Sequence, residues 1–147
     1  MAETTRSDKE TARMIFYVVA VLMAIYGLGL LFFPQAIFAL SNDPGVPANP
    51  GWVRWGGGFV LGTAVAAWLA GSKPESQWPL MMGLATAFTL VTLTLLYSNL
   101  VGDYRGVQLL SWLQILGNGA LAAAMWWLSS KFPANIPPLN GTPRATT

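Results

Sequence analysis

The stretch WVRWGGGFVLGTAVAAWLAG, residues Trp52 to Gly71, sets Arg54 between two tryptophans and then runs apolar for long enough to cross a bilayer. About 20 residues at roughly 1.5 Å of rise each match a hydrocarbon core roughly 30 Å thick. Small residues recur along it at helical spacing, at Gly58, Gly62, Ala66 and Ala70. Such a ladder lets another helix approach closely, which in lipid stands in for the missing hydrophobic drive between helices. The partner helix belongs either to this chain or to another, and the spacing alone leaves both open.

Composition points the same way. Of 147 residues, 54% are hydrophobic and only 10% charged, and the mean hydropathy is +0.49, whereas soluble domains carry roughly 25% charged residues. The absence of Cys removes disulfides, thiol redox chemistry and Cys-ligated metals. The absence of His removes the commonest metal and haem ligand and the usual neutral-pH proton shuttle. A net charge of +2 is spread over loops and tails. It forms no patch for nucleic acid and reads as a topology signal.

From the N-terminus, residues 1–13 are polar and lack apolar periodicity, as expected of a short mobile or surface segment. Met14 to Phe33 is the first apolar run. A cleaved signal peptide is the rival reading, since a basic flank precedes the run and Ala39 and Ser41 mimic a cleavage site. The run exceeds the usual apolar core of about 7–15 residues, which favours a retained helix. Pro34 disfavours helical geometry at Phe33, so the helix should end or kink there. Gln35 to Leu40 suits a turn of helix in the membrane interface. The segment from Asn42 to Gly51 is dense in turn formers, with Asn49 able to cap the second helix and Pro50 in its first turn.

A tight polar connection, Ser72 to Gln77, leads to a third run from Trp78 to Leu100 with Pro79 in its first turn. Val101 to Gly106 is a loop, and Val107 to Leu128 is the fourth run. The proline-rich tail cannot continue a helix and has little to bury, so it should be disordered. The expected organisation is a polar segment (1–13), a four-helix transmembrane domain (14–130, with spans near 14–33, 52–71, 78–100 and 107–128) and a disordered tail (131–147).

Four spans with short connections predict an all-α, integral membrane, antiparallel four-helix bundle. Arg6, Lys9, Arg13, Lys73, Lys131 and Arg144 fall on one side and Arg54 and Arg105 on the other. The positive-inside rule then puts both termini in the cytoplasm of a multi-pass cell (inner) membrane protein. Trp52, Trp55, Tyr97 and Tyr104 would form one aromatic belt, and Tyr17, Trp68, Trp78, Trp126 and Trp127 the other.

Polar residues inside the apolar runs are the candidate sites. Ser111, Gln114 and Asn118 recur at spacings of three and four, on one face of the fourth helix. Bare amides in hydrocarbon are costly, so these groups should face other helices, with Thr86, Thr89 and Thr92 or Tyr26 as partners. They serve either as interhelical hydrogen bonds or as the lining of a small pocket for a lipophilic molecule with one polar end. Arg54, Asp103 and Arg105, near Asn42 and Asp43, form the one charged constellation. Arg54 must find water, phosphate or a carboxylate such as Asp103 or Asp43, as an interfacial anchor or as a clamp for an anionic headgroup.

No acidic residue lies within an apolar run, so proton-coupled export through a membrane-embedded carboxylate has no candidate. Thiol-based quinone reduction lacks Cys, and nucleophilic hydrolysis lacks His. No catalytic residue, metal site or cofactor is expected.

At LFFP (Leu31 to Pro34) and RWGGGFVLG (Arg54 to Gly62) the chain resembles the DoxX-like group of small four-helix bacterial membrane proteins, in which an Arg followed by spaced glycines recurs near a helix start. Here the Arg-Gly element falls on the second helix and His is absent. The resemblance implies a fold and a membrane location, and no activity. The expected function is that of a non-enzymatic accessory or scaffold subunit, associating with the lipid bilayer, with other membrane subunits or with copies of itself. The alternative is a binding or transport protein for a quinone- or lipid-like molecule.

Overall fold

The computed structural model describes residues 5–40, 51–101 and 108–132. Every regular element among them is helical: α1 (Arg6–Phe32), α2 (Pro34–Leu40), α3 (Gly51–Ser72), a 3₁₀ turn (Pro74–Ser76), α4 (Trp78–Leu100) and α5 (Gln108–Lys131). Three of these, α1, α3 from Val53, and α4, are long and apolar enough to cross a membrane. The fourth expected span, 107–128, falls in α5, whose apolar run Gln114 and Asn118 interrupt and which is not among the three.

The first helix begins eight residues earlier than the apolar run suggests, at Arg6 instead of Met14. A capping box sets this start: the Thr5 hydroxyl accepts from the Asp8 N–H at 3.2 Å, and Asp8 accepts from the Thr5 N–H at 3.0 Å. Two orphan donors of the first turn are thereby satisfied. Arg6 and Glu10, one turn apart at 3.1 Å, add a surface ion pair worth a few tenths of a kcal/mol. The expected polar surface segment is therefore, from Arg6 onward, the first two turns of α1. The helix ends as expected at Pro34: the Phe33 N–H closes the last turn on the Gly29 carbonyl, and α2 starts with the proline. Asn49 and Pro50 lie outside the described residues.

The long helices associate as two antiparallel pairs, α1 with α3 and α4 with α5. In the first pair the backbones touch. A Cβ on Gly57 would lie 2.9 Å from the Gly27 carbonyl oxygen and the Leu31 nitrogen, and one on Gly27 would lie 2.9 Å from the Leu61 nitrogen. Only glycine fits both sides of this crossing. At the other end of the pair the Arg13 Nε donates to the Gly71 carbonyl at 3.3 Å, and Tyr17 packs on Trp68 with ring centroids 4.8 Å apart.

Within the chain, this crossing uses a different face of α3 from the ladder read in the sequence. The face of α3 that packs is Val53, Gly57, Ala64, Ala67 and Ala70, with Gly71 beside it. Gly58 and Gly62 point elsewhere: both are exposed, and nothing lies within 4 Å of where a Cβ would be. Ala66 is half-buried, and of the four ladder residues Ala70 alone is buried.

The two pairs share one core, at the end where α1 and α4 begin and α3 and α5 finish; we refer to it as the base. Ala12, Phe16, Val19 and Ala20 of α1 meet Ala67 and Ala70 of α3, Met81, Leu84, Ala85 and Phe88 of α4, and Ala122, Met125 and Leu128 of α5. Phe132 caps this core at 1% exposure, so the first residue after α5 is anchored, although the tail was expected to have little to bury. Residues 133–147 lie outside the described residues.

Candidate functional site

The side chains that fill the base belong to stripes at spacings of three and four, and each stripe continues past the core toward the opposite, distal end. On α5 the stripe Phe132, Leu128, Met125 and Leu121 runs on as Asn118 and Gln114. On α4, Met81, Ala85 and Phe88 run on as Thr92, Leu95 and Asn99; on α1, Ala12, Phe16, Val19 and Met23 run on as Tyr26 and Leu30; on α3, Ala70 and Ala67 run on as Thr63 and Val60. With 3.6 residues per turn, these continuations keep the direction of the core side chains below them.

Burial changes along each stripe. The shared core stops at Ala20, Ala67, Phe88 and Ala122. Beyond it, Leu30, Val60, Thr63, Thr92, Leu95, Asn99, Gln114 and Asn118 are all half-buried, and Tyr26 is 46% exposed. Chemistry changes with it: aromatic and aliphatic side chains give way to two hydroxyls, a phenol and three carboxamides. Residues 89–100 of α4, roughly 18 Å of helix, lie beyond the core. The distal half therefore offers neutral donors and acceptors on faces that close packing leaves partly accessible.

The hydrogen bonds expected between the third and fourth helices are not the ones formed. Thr89 and Thr92 donate to carbonyls of their own helix, Ala85 and Phe88, both at 2.7 Å. Asn118 likewise donates to the Gln114 carbonyl at 2.8 Å. Thr86 is exposed. One interhelical bond does link the pair: the Trp126 indole N–H donates to the Thr89 hydroxyl at 3.1 Å. The Gln114 carboxamide has no hydrogen-bond partner among the described residues, and neither has the Asn118 amide oxygen. Tyr26 and Asn99 are engaged in interactions of their own. Ser111 belongs to α5, its side chain outside the description.

Arg54 stands exposed in the first turn of α3, without an ion pair or hydrogen bond among the described residues. It is flanked by Trp55 at 75% exposure and Phe59 at 72%, whose rings lie 6.1 Å apart. Its proposed partners Asp43 and Asp103, with Asn42, Tyr104 and Arg105, lie outside the described residues. Among the described residues no cluster of His, Cys, Asp or Glu could hold a metal ion.

The structure thus brings Tyr26, Gln114 and Asn118 onto faces aimed the same way as the core, engages Thr89 elsewhere, and leaves Arg54 apart on the outer surface of the distal end. Sequence reasoning missed Thr63 and Asn99, whose signal is their spacing from the core stripes, Thr63 a heptad from Ala70 and Asn99 a heptad from Thr92. No known protein family, curated protein or solved structure matches the chain.

Proposed function

We propose that this chain is a non-enzymatic protein of the cell (inner) membrane, spanning it four times as an antiparallel bundle with both termini cytoplasmic, and that it binds a lipophilic small molecule. The molecule, quinone- or lipid-like, sits between the two helix pairs in the distal half, its carbonyl or hydroxyl head hydrogen-bonded by Gln114 and Asn118. The observation that carries this reading is the unpartnered Gln114 carboxamide on the core-facing stripe of α5. An amide without a partner in hydrocarbon costs about 4–8 kcal/mol on water-to-cyclohexane scales, so an occupant or water must satisfy it. Leu30, Val60 and Leu95 supply apolar walls for the rest of the molecule. With neither carboxylate nor imidazole among these groups, binding is favoured over proton transfer. Organic extraction of protein purified in mild detergent tests it. Wild type should release a reproducible small molecule and Gln114→Leu should release none while keeping its helicity; a bare wild type, or a loaded Gln114→Leu, would sink the idea.

A second reading, an accessory subunit or homo-oligomer, is favoured by one specific observation. Gly27 and Gly57 account for the close helix approach within the chain, which leaves the GxxxG pair Gly58 and Gly62 on an outward face. In lipid such a pair is suited to a helix from another polypeptide. Gly62→Leu should then abolish association seen by cross-linking in native membranes. Unchanged cross-linking would remove this reading and leave the first intact.

A further inference from the structure

On the side of α1 opposite its core face lies a groove of about 510 Å³ lined by Glu10, Arg13, Met14, Tyr17, Val18, Val21 and Leu22. This falls within the roughly 300–1,000 Å³ range of small-ligand sites. Its two ends differ in chemistry. Arg13 is the last charged residue before the apolar run, and its Nε is held by the Gly71 carbonyl at 3.3 Å. That bond fixes the guanidinium in place and leaves both terminal nitrogens without a partner among the described residues. The Glu10 carboxylate beside it is taken by Arg6 at 3.1 Å. The Tyr17 ring is packed on Trp68, so its hydroxyl is presented one turn from Arg13, with no hydrogen bond among the described residues. The surface of the groove is itself almost wholly apolar, with Arg13 and Tyr17 at its rim, and Val18, Val21 and Leu22 continue it as an aliphatic strip, each about half exposed.

A fixed cation and a hydroxyl at the membrane surface above an aliphatic channel match the anatomy of one molecule. We infer that this groove seats an anionic phospholipid from the leaflet at the base, its phosphate on the Arg13 guanidinium and the Tyr17 hydroxyl and one acyl chain along Val18, Val21 and Leu22. Charge complementarity decides the class. A guanidinium pairs with phosphate through two parallel hydrogen bonds, and the mouth carries no free carboxylate to repel a lipid of net negative charge. The site lies at the opposite end of the molecule from the distal polar faces and stands independently of them.

The full-length protein in nanodiscs of equal phosphatidylglycerol and phosphatidylcholine provides the test, with retained lipids counted by native mass spectrometry. Wild type should retain phosphatidylglycerol about fivefold over phosphatidylcholine, the preference expected of one cation near an anionic surface. Arg13→Gln should bring the ratio to unity, and Arg13→Lys, which keeps the charge but loses the fork and the Gly71 bond, should keep only part of it. Val21→Trp fills the channel but leaves the Arg13–Gly71 bond and the core face intact, and it too should bring the ratio to unity. No preference in wild type overturns the inference. So does a preference that survives Val21→Trp, since the lipid would then be held by surface charge alone.

Discussion

The base and the distal half of this molecule are built on the same four helix faces and differ in what those faces carry. At the base, Phe16, Met81, Met125, Leu128 and Phe132 interlock at under 2% exposure. About three turns further along those stripes stand Tyr26, Thr92, Asn118 and Gln114, with Thr63 on the corresponding stripe of α3, none of them buried. Helical register alone brings a side chain to a face; its shape and polarity decide whether the face closes. Interlocking aromatics and thioethers bring the two pairs together, and carboxamides hold them less tightly because every closed contact would have to satisfy an amide.

The sharpest way to break this contrast is to hollow out each end. Phe16→Ala removes a fully buried ring and should cost about 3–5 kcal/mol, read as unfolding in detergent by tryptophan fluorescence. Leu95→Ala, on the distal continuation of α4, should cost less than about 1.5 kcal/mol; equal losses would mean that the distal half is packed like the base. Neighbouring glycines sharpen the picture within one pair. Gly57→Leu forces side-chain atoms into the α1 backbone and should cost about 3 kcal/mol, while Gly58→Leu, facing open space, should change stability by no more than about 0.5 kcal/mol. A reversed order would put the α1–α3 contact on the other face. A modest effect, between those of Gly57→Leu and Gly58→Leu, is expected from Thr89→Val, which deletes the acceptor of the Trp126 indole and should cost about 0.6–1.7 kcal/mol.

Much of this architecture is written in local signals. The third run, Trp78 to Leu100, is α4 to the residue, because a proline-bearing first turn and an unbroken apolar run bound it on both sides. The start of α1 was less legible: its capping box uses Asp8 where Glu or Gln is the usual signature, and five charged residues hide the helical register of the first two turns. The phase of α3 was not legible at all from spacing. Gly56, Gly57 and Gly58 are consecutive, so any of them can head a ladder of small residues, and only the position of α1 chooses Gly57. The common face of Gln114 and Asn118 follows from their spacing alone. Their partners do not, since a threonine hydroxyl in a helix can turn back to the carbonyl four residues earlier, as Thr89 and Thr92 do.

The early start of α1 carries a consequence for where the two pairs are fastened. At 27 residues the helix is about 40 Å long, roughly 10 Å more than a hydrocarbon core. Its surplus turns bear Arg6, Asp8, Lys9 and Glu10, so in the spanning arrangement they stand in the headgroup layer, where water reaches. Ala12 and Phe132, both essentially inaccessible, belong to the shared core next to those turns, and Pro74 of the connecting turn is buried as well. Lipid tails compete evenly with apolar side chains deeper in the membrane, but at its surface water drives such side chains together. The clasp that joins the pairs therefore sits at the depth where the hydrophobic effect still operates, and it should loosen on cooling as contacts in a soluble protein do.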